Sequence, residues 1–247
     1  MNTRMIVCFC LLLAAPAGSL FAQKGSWGAG IEGGPGLSFI YGSQSIYSQS
    51  KFSLAGTTGI FGEYGFAGNF SVKLALHYER ISTRTDNYSA MLPPSGMLQY
   101  NLDYLSLPVL VKWSIGSRIR FFVNAGPCLS LLLQESLWHL PENGNKAKVA
   151  NETDAYLPVN LAVTAGCGIA IPVGKSFLVT LEVRDNLGVI NIRSSVSDFE
   201  RNSYFSGAEI KGYTNSTLLL AGVCYRFGGS KGLSCPSNDP EFQYIRK

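Results

Sequence analysis

Residues 104–133 read YLSLPVLVKWSIGSRIRFFVNAGPCLSLLL. In the first half Leu105, Leu107, Val109, Val111 and Trp113 alternate with Ser106, Pro108, Leu110 and Lys112. In the second half Ile119, Phe121, Val123, Ala125, Leu129, Leu131 and Leu133 alternate with Arg120, Phe122, Asn124, Gly126, Cys128 and Ser130. A period of two is the signature of a strand. Parity also constrains the join. Placing Ile115 and Ile119 on one face calls for an odd loop, and Gly116-Ser117-Arg118 fits a three-residue hairpin. Each run far exceeds the ~5–6 residues of an ordinary strand. Such length, with one nearly unbroken apolar face, suits a bilayer better than a small soluble core.

Working outward to the N-terminus, Arg4, an apolar run from Met5 to Ala15 and Leu20-Phe21-Ala22 before Gln23 have the form of a cleavable export signal over 1–22. The apolar run breaks at Pro16 and Gly18, too short for a membrane helix. Charged residues make up 15% of the chain, against ~25% in soluble domains. No later run of ~18 apolar residues exists, so a membrane-spanning form of this chain has to be a closed barrel, in which every backbone group pairs with a neighbouring strand. The net charge of +4 is dispersed, with no basic stripe for nucleic acid. Cys128, Cys167, Cys224 and Cys235 follow the leader at spacings that match neither a zinc site nor a disulfide framework. They read as small apolar fillers, with a disulfide at Cys235 the alternative.

The same alternation recurs along the chain. Trp27, Ala29, Ile31, Leu37, Phe39 and Tyr41 oppose Gly28, Gly30, Glu32, Gly34 and Ser38. A weaker Gly- and Thr-rich strand follows, from about Lys51 to Glu63. In the third strand Phe70, Val72, Leu74, Leu76 and Tyr78 oppose Ser71, Lys73, Ala75, His77 and Glu79. Pro93-Pro94-Ser95-Gly96 breaks the pattern. Leu98 to Tyr104 then has the opposite parity from Leu105 onward, which predicts a β-bulge near Tyr104-Leu105. The fifth strand is expected to end near Glu135 and a long loop to occupy 136–158. Leu161 to Val173 and Phe177 to Arg184 make another long pair around Gly174-Lys175-Ser176. A second long loop, 194–213, precedes a final strand ending at Phe227. Eight strands result, with short turns at one end and long loops at the other. This predicts an all-β fold, an eight-stranded antiparallel up-and-down transmembrane β-barrel over 23–227, followed by a flexible periplasmic tail, 228–247. Two aromatic girdles are expected: Trp27, Phe70, Trp113, Phe121, Phe177, Tyr225 and Phe227 at the turn end, and Tyr41, Tyr100, Tyr104 and Trp138 at the loop end. A soluble lipocalin-like barrel is the rival. It would turn the apolar face inward, leaving Gly, Ala, Ser, Thr and a few charges as thin cover against water.

The run Tyr104-Leu-Ser-Leu-Pro-Val-Leu-Val-Lys-Trp113, Asn124-Ala-Gly-Pro127, Ala165-Gly-Cys-Gly168 leading to Pro172, and Leu181-Glu-Val-Arg-Asp-Asn-Leu-Gly188 resemble the PorT-type outer-membrane β-barrel proteins of Gram-negative bacteria. The resemblance spans about Trp27 to Phe227. It implies an eight-stranded barrel in the outer membrane, with no activity assigned to most members and a role in secretion or surface assembly for a few. Such barrels commonly end on an aromatic. Tyr225-Arg226-Phe227 has that form, but here the tail follows it.

Alternation turns Glu32, Lys73, Glu79, Lys112, Arg120, Glu182, Arg184 and Arg226 into the lumen. An eight-stranded barrel holds little beyond its own side chains, so both charge signs predict a salt-bridged plug. A narrow polar pore for small solutes is the alternative. The histidines are His77 and His139. His77 with Glu79 and nearby serines is the one arrangement from which a lipid hydrolase could be drawn, but alternation sends His77 away from lipid. No phosphate loop, metal-ligand spacing or acidic dyad is present, and no cofactor is expected. The expected contacts are outer-membrane lipid and a protein partner at loops 136–158 and 194–213 or at the tail.

Overall fold

The computed structural model describes residues 25–42, 51–86, 97–116, 119–141, 147–150, 156–174, 176–193 and 211–227. The expected leader, the tail with Cys235, and most of loop 194–213 lie outside them. The strands are β1 (Ser26–Gly42), β2 (Lys51–Ala67), β3 (Phe70–Asp86), β4 (Met97–Ile115), β5 (Arg120–Leu140), β6 (Ala147–Ala150), β7 (Val159–Val173), β8 (Phe177–Gly188) and β9 (Gly212–Phe227). Eight of them close a ring in the order β1-β2-β3-β4-β5-β7-β8-β9, and β9 returns to β1 through pairs such as Trp27↔Phe227 and Ile31↔Val223. The extra strand, β6, pairs with β5 alone, within the stretch expected to be loop 136–158. Closure matters physically, because an open sheet would leave a row of unpaired backbone groups.

The faces follow the alternation. Ile31, Leu54, Ile60, Leu74, Phe121, Val163 and Val183 point outward and are exposed, Leu54 to 69%. Glu32, Lys73, Asn124, Thr164, Glu182 and Arg184 point inward and are buried. A polar interior under an apolar exterior is the reverse of a lipocalin, and that rival falls.

The turns confirm parity and correct one register. Val173 pairs with Phe177 across Gly174, whose φ is 67°. Ile115, however, pairs with Phe121 rather than standing opposite Ile119. A slip of two residues keeps every side chain on its face, so alternation alone cannot detect it. Gly116 carries the tighter constraint. Its φ is 115°, and a Cβ there would lie 2.3 Å from the carbonyl oxygen of Ile119.

The expected bulge on β4 is also corrected. β4 keeps one register with β3 through His77↔Ser106, Glu79↔Tyr104, Ile81↔Leu102 and Thr85↔Leu98. The register shift falls between Asp103↔Gln134 and Tyr104↔Leu132, so the additional residue is Leu133 on β5. Leu98, Tyr100, Leu102 and Tyr104 therefore stay on the inner face and are buried, while Gln99, Asn101 and Asp103 face outward. Ile40, Ile81, Leu102, Tyr104, Tyr156 and Ile192 pack together there, closing the barrel towards its loop end. The wall changes polarity at this height. On β4, below Tyr104 the wall is apolar outside and polar inside; above it Leu98, Tyr100 and Leu102 turn inward and Gln99, Asn101 and Asp103 outward.

The girdles shift accordingly. At the turn end Trp27, Phe70, Trp113, Phe121, Phe177, Tyr225 and Phe227 are all exposed on the outer face, as expected. Tyr225 stacks edge-on against Phe177 and Phe227, with ring centroids 5.3 and 5.0 Å away. At the loop end Tyr100 and Tyr104 are interior residues. The outer ring is built from Phe39 against Phe52 at 4.8 Å and Tyr41 against Tyr213 at 5.5 Å.

Candidate functional site

The interior is built in layers, because each strand delivers an inward residue at every second position. Nearest the turn end, Lys112 of β4 donates to Glu63 Oε2 of β2 at 2.8 Å, and Ser71 Oγ donates to Glu63 Oε1 at 2.7 Å. Next comes a small apolar layer of Phe61, Ala75, Phe122, Ala170, Leu178 and Cys224. It carries the two lysines: Lys112 Nζ sits 4.5 Å from the Phe122 ring centre and Lys73 Nζ 4.5 Å from that of Phe61.

The central layer contains the main charge cluster. Lys73 Nζ donates to Glu32 Oε2 at 2.5 Å and lies 3.4 Å from Glu182 Oε2. Arg184 bridges the same two carboxylates, with Nη2 to Glu32 Oε1 at 3.0 Å and Nε to Glu182 Oε1 at 2.7 Å. Asn124 Nδ2 adds a bond to Glu182 Oε1 at 3.0 Å, and His77 Nε2 lies 3.0 Å from Glu32 Oε1. Arg184 is 1% and Glu182 2% exposed. Two carboxylates thus face a lysine and an arginine in a four-cornered arrangement tied across β1, β3 and β8. One glycine is needed for it. A Cβ on Gly166 would stand 2.7 Å from Glu182 Oε1 and 2.8 Å from Asn124 Oδ1.

Above it, Glu79 is solvated by neutral donors. Ser216 Oγ and Asn186 Nδ2 donate to Oε1 at 2.7 and 3.1 Å, and Ser106 Oγ donates to Oε2 at 3.2 Å. Ser130 continues the chain from Ser106 at 2.8 Å, and Thr164 donates to Asn186 Oδ1 at 2.8 Å. The apolar closure around Leu102 and Tyr104 follows.

Of the residues expected in the lumen, Glu32, Lys73, Glu182 and Arg184 meet directly. Lys112 forms a separate pair, and Glu79 a third group. Arg120 and Arg226 have inward parity but are only half-buried at the turn-end mouth, apart from the central cluster. Reading the sequence missed Glu63, although it stands two positions beyond Phe61 on β2. Asn124, Asn186, Ser106, Ser130 and Ser216 were legible by the same parity, but as uncharged residues they carried no signal of partnership. Cys128 and Cys224 are buried free thiols of the interior; Cys167 is free and exposed on the outer face.

A closed antiparallel ring, apolar outside and filled with mutually satisfied charge inside, defines a transmembrane β-barrel. The chain belongs to the outer membrane protein beta-barrel domain family, whose model matches residues 21–194. It sits in the lipid bilayer of the bacterial outer membrane. No curated protein sequence matches it. Among solved structures it is similar to Neisserial surface protein A, at 14% identity over 83% of this chain and 100% of the other, TM-score 0.41. It is similar to the attachment invasion locus protein Ail of Yersinia pestis, at 12% identity over 81% and 98%, TM-score 0.39. The outer membrane protein OprG of Pseudomonas aeruginosa gives 11% identity over 82% and 96%, TM-score 0.43.

Proposed function

We propose that the protein is a closed, non-enzymatic barrel that serves as a rigid platform, with its turn end, both termini and the 228–247 tail in the periplasm and its loops outside the cell. Within the family we assign it to the PorT-like group on the motifs quoted above, and we take the segment 1–22 as its export signal. The loops 136–158 and 194–213, or the tail, bind a protein partner in surface assembly or secretion.

One observation carries the closed-platform reading. The lumen is crossed by the Glu32–Lys73–Glu182–Arg184 cluster and then by the apolar closure, so a solute would have to break buried ion pairs and displace Leu102 and Tyr104. The non-enzymatic reading is supported by the histidines. His77 and His139 are both buried within the barrel, where neither faces the bilayer. The test of closure is planar-bilayer recording of the purified barrel. The expected result is no single-channel current; steady unitary conductance that Lys73→Met alters would overturn closure. Trimming each long loop should leave the barrel folded and abolish partner capture from solubilised outer membranes.

A further inference from the structure

The cross-strand registers align one row across five strands of the loop-end wall: Lys51 of β2, Arg84 of β3, Gln99 of β4, Trp138 of β5 and Lys148 of β6. We propose that this wall is a binding surface for the phosphorylated saccharide head groups of outer-leaflet glycolipid (lipopolysaccharide). The inference rests on the orientation proposed above, in which the loop end is external.

Height is the first reason. On β4 the outward apolar run extends from Ile115 to Leu105, roughly 25 Å along the barrel axis, which matches a hydrocarbon band. From Leu105 to Gln99 the strand climbs roughly 15 Å more, clear of hydrocarbon and among head-group sugars. Charge is the second. Lys51, Arg80, Arg84 and Lys148 lie on this side of the barrel. The acids placed on the same stretch of β3 and β4 are Asp86 and Asp103, and Asp103 is held by both Nε and Nη2 of Arg80 at 2.6 and 2.7 Å. Across the barrel, the outward polar residue at similar height on β8 is the acid Asp185, capped by Thr217 Oγ1 at 2.7 Å.

Chemistry is the third. Gln99 Oε1 accepts from Arg84 Nε at 3.3 Å, Gln99 Nε2 donates to Asn101 Oδ1 at 2.8 Å, and Ser82 Oγ donates to the same oxygen at 2.8 Å. Trp138 Nε1 donates to Ser136 Oγ at 3.2 Å, and Lys148 Nζ lies 5.9 Å from its ring centre. Cations for phosphate, the half-buried Gln99 amide, braced by buried Asn101, for hydroxyls and an aromatic face for a sugar ring thus share one surface, carried on paired strands instead of loose loop.

The experiment is titration of the refolded, detergent-solubilised full mature chain with rough lipopolysaccharide, read by native mass spectrometry. The triple variant Lys51→Gln, Arg84→Gln, Lys148→Gln should bind on the order of 100-fold more weakly at low salt, at about one factor of five per cation lost. Dephosphorylated lipopolysaccharide should bind the unaltered chain as weakly. If the triple variant fails to fold, Lys51→Arg with Lys148→Arg should retain binding, and affinity of the unaltered chain should fall steeply with salt. Equal binding by the variant, or equal competition by phosphatidylglycerol, would overturn the proposal. Labelling of loop-end lysines on intact cells with an impermeant amine reagent separates a failure of orientation from a failure of binding.

Discussion

Replacing Glu32 by Gln removes one negative charge from the centre of the barrel and keeps its shape. Glu32 is the acceptor shared by Lys73 at 2.5 Å and Arg184 at 3.0 Å, and its side chain and theirs are at most 4% exposed. With it neutral, two buried cations share the single carboxylate of Glu182, which Arg184 holds at 2.7 Å and Lys73 reaches only at 3.4 Å. Breaking a buried ion pair costs about 3–5 kcal/mol, because the remaining charge is left without compensation. Since Glu182 retains contact with both cations, the lower end applies, about 3 kcal/mol. The assay is reversible urea unfolding of the barrel in phospholipid vesicles, followed by tryptophan fluorescence. Adding Lys73→Met restores charge balance and should recover much of the loss, so the two substitutions are strongly non-additive. By contrast Arg80→Gln breaks a pair whose arginine is 52% exposed, and should cost under about 1 kcal/mol. Glu32→Gln within about 0.5 kcal/mol of the unaltered protein, with additive behaviour alongside Lys73→Met, would refute the reasoning.

Two further outcomes follow from the faces. Leu102 is fully buried in the loop-end closure, so Leu102→Ala should destabilise by about 2–4 kcal/mol in the same titration, whereas the outward Leu54→Ala should cost far less. Cys167 faces outward while Cys128 and Cys224 are interior. In a Cys235→Ser background an apolar maleimide should therefore label the folded mature barrel once, at Cys167, by peptide mass, and labelling of Cys128 without unfolding would contradict the assignment.

Most of the wall was legible because a barrel strand obeys a period of two, and long runs such as Leu105 to Trp113 leave no ambiguity of face. The errors have physical causes. Leu98, Tyr100, Leu102 and Tyr104 read as outward only on the premise that apolar means lipid-facing. That premise holds only inside the hydrocarbon. Beyond Leu105 the outward residues of β4 are Asp103, Asn101 and Gln99, and the apolar side chains return to the interior with no bulge on β4. The turn at Gly116 was misplaced by two residues because such a slip preserves parity. β6 is too short, at Ala147–Ala150, for alternation to announce it. In the lumen, charge and parity named Glu32, Lys73, Glu182 and Arg184, but not which would meet. That depends on the stagger of strands around the ring, which joins residues as far apart in sequence as Glu32 and Arg184. Glu63 escaped because β2, rich in Gly and Thr, gives a weak pattern.

The central claim is that hydrocarbon wets the outer face of these strands while the inner face is sealed. Spin labels placed singly at successive positions from Leu105 to Trp113, in a cysteine-free barrel reconstituted in vesicles, test it directly. Labels at 105, 107, 109, 111 and 113 should collide freely with dissolved oxygen and scarcely with a water-soluble nickel chelate, and labels at 106, 108, 110 and 112 should meet neither. Strong collision of the even-numbered set with the chelate would show a water-filled lumen, and the same result for the odd-numbered set would show that water, not lipid, surrounds the barrel.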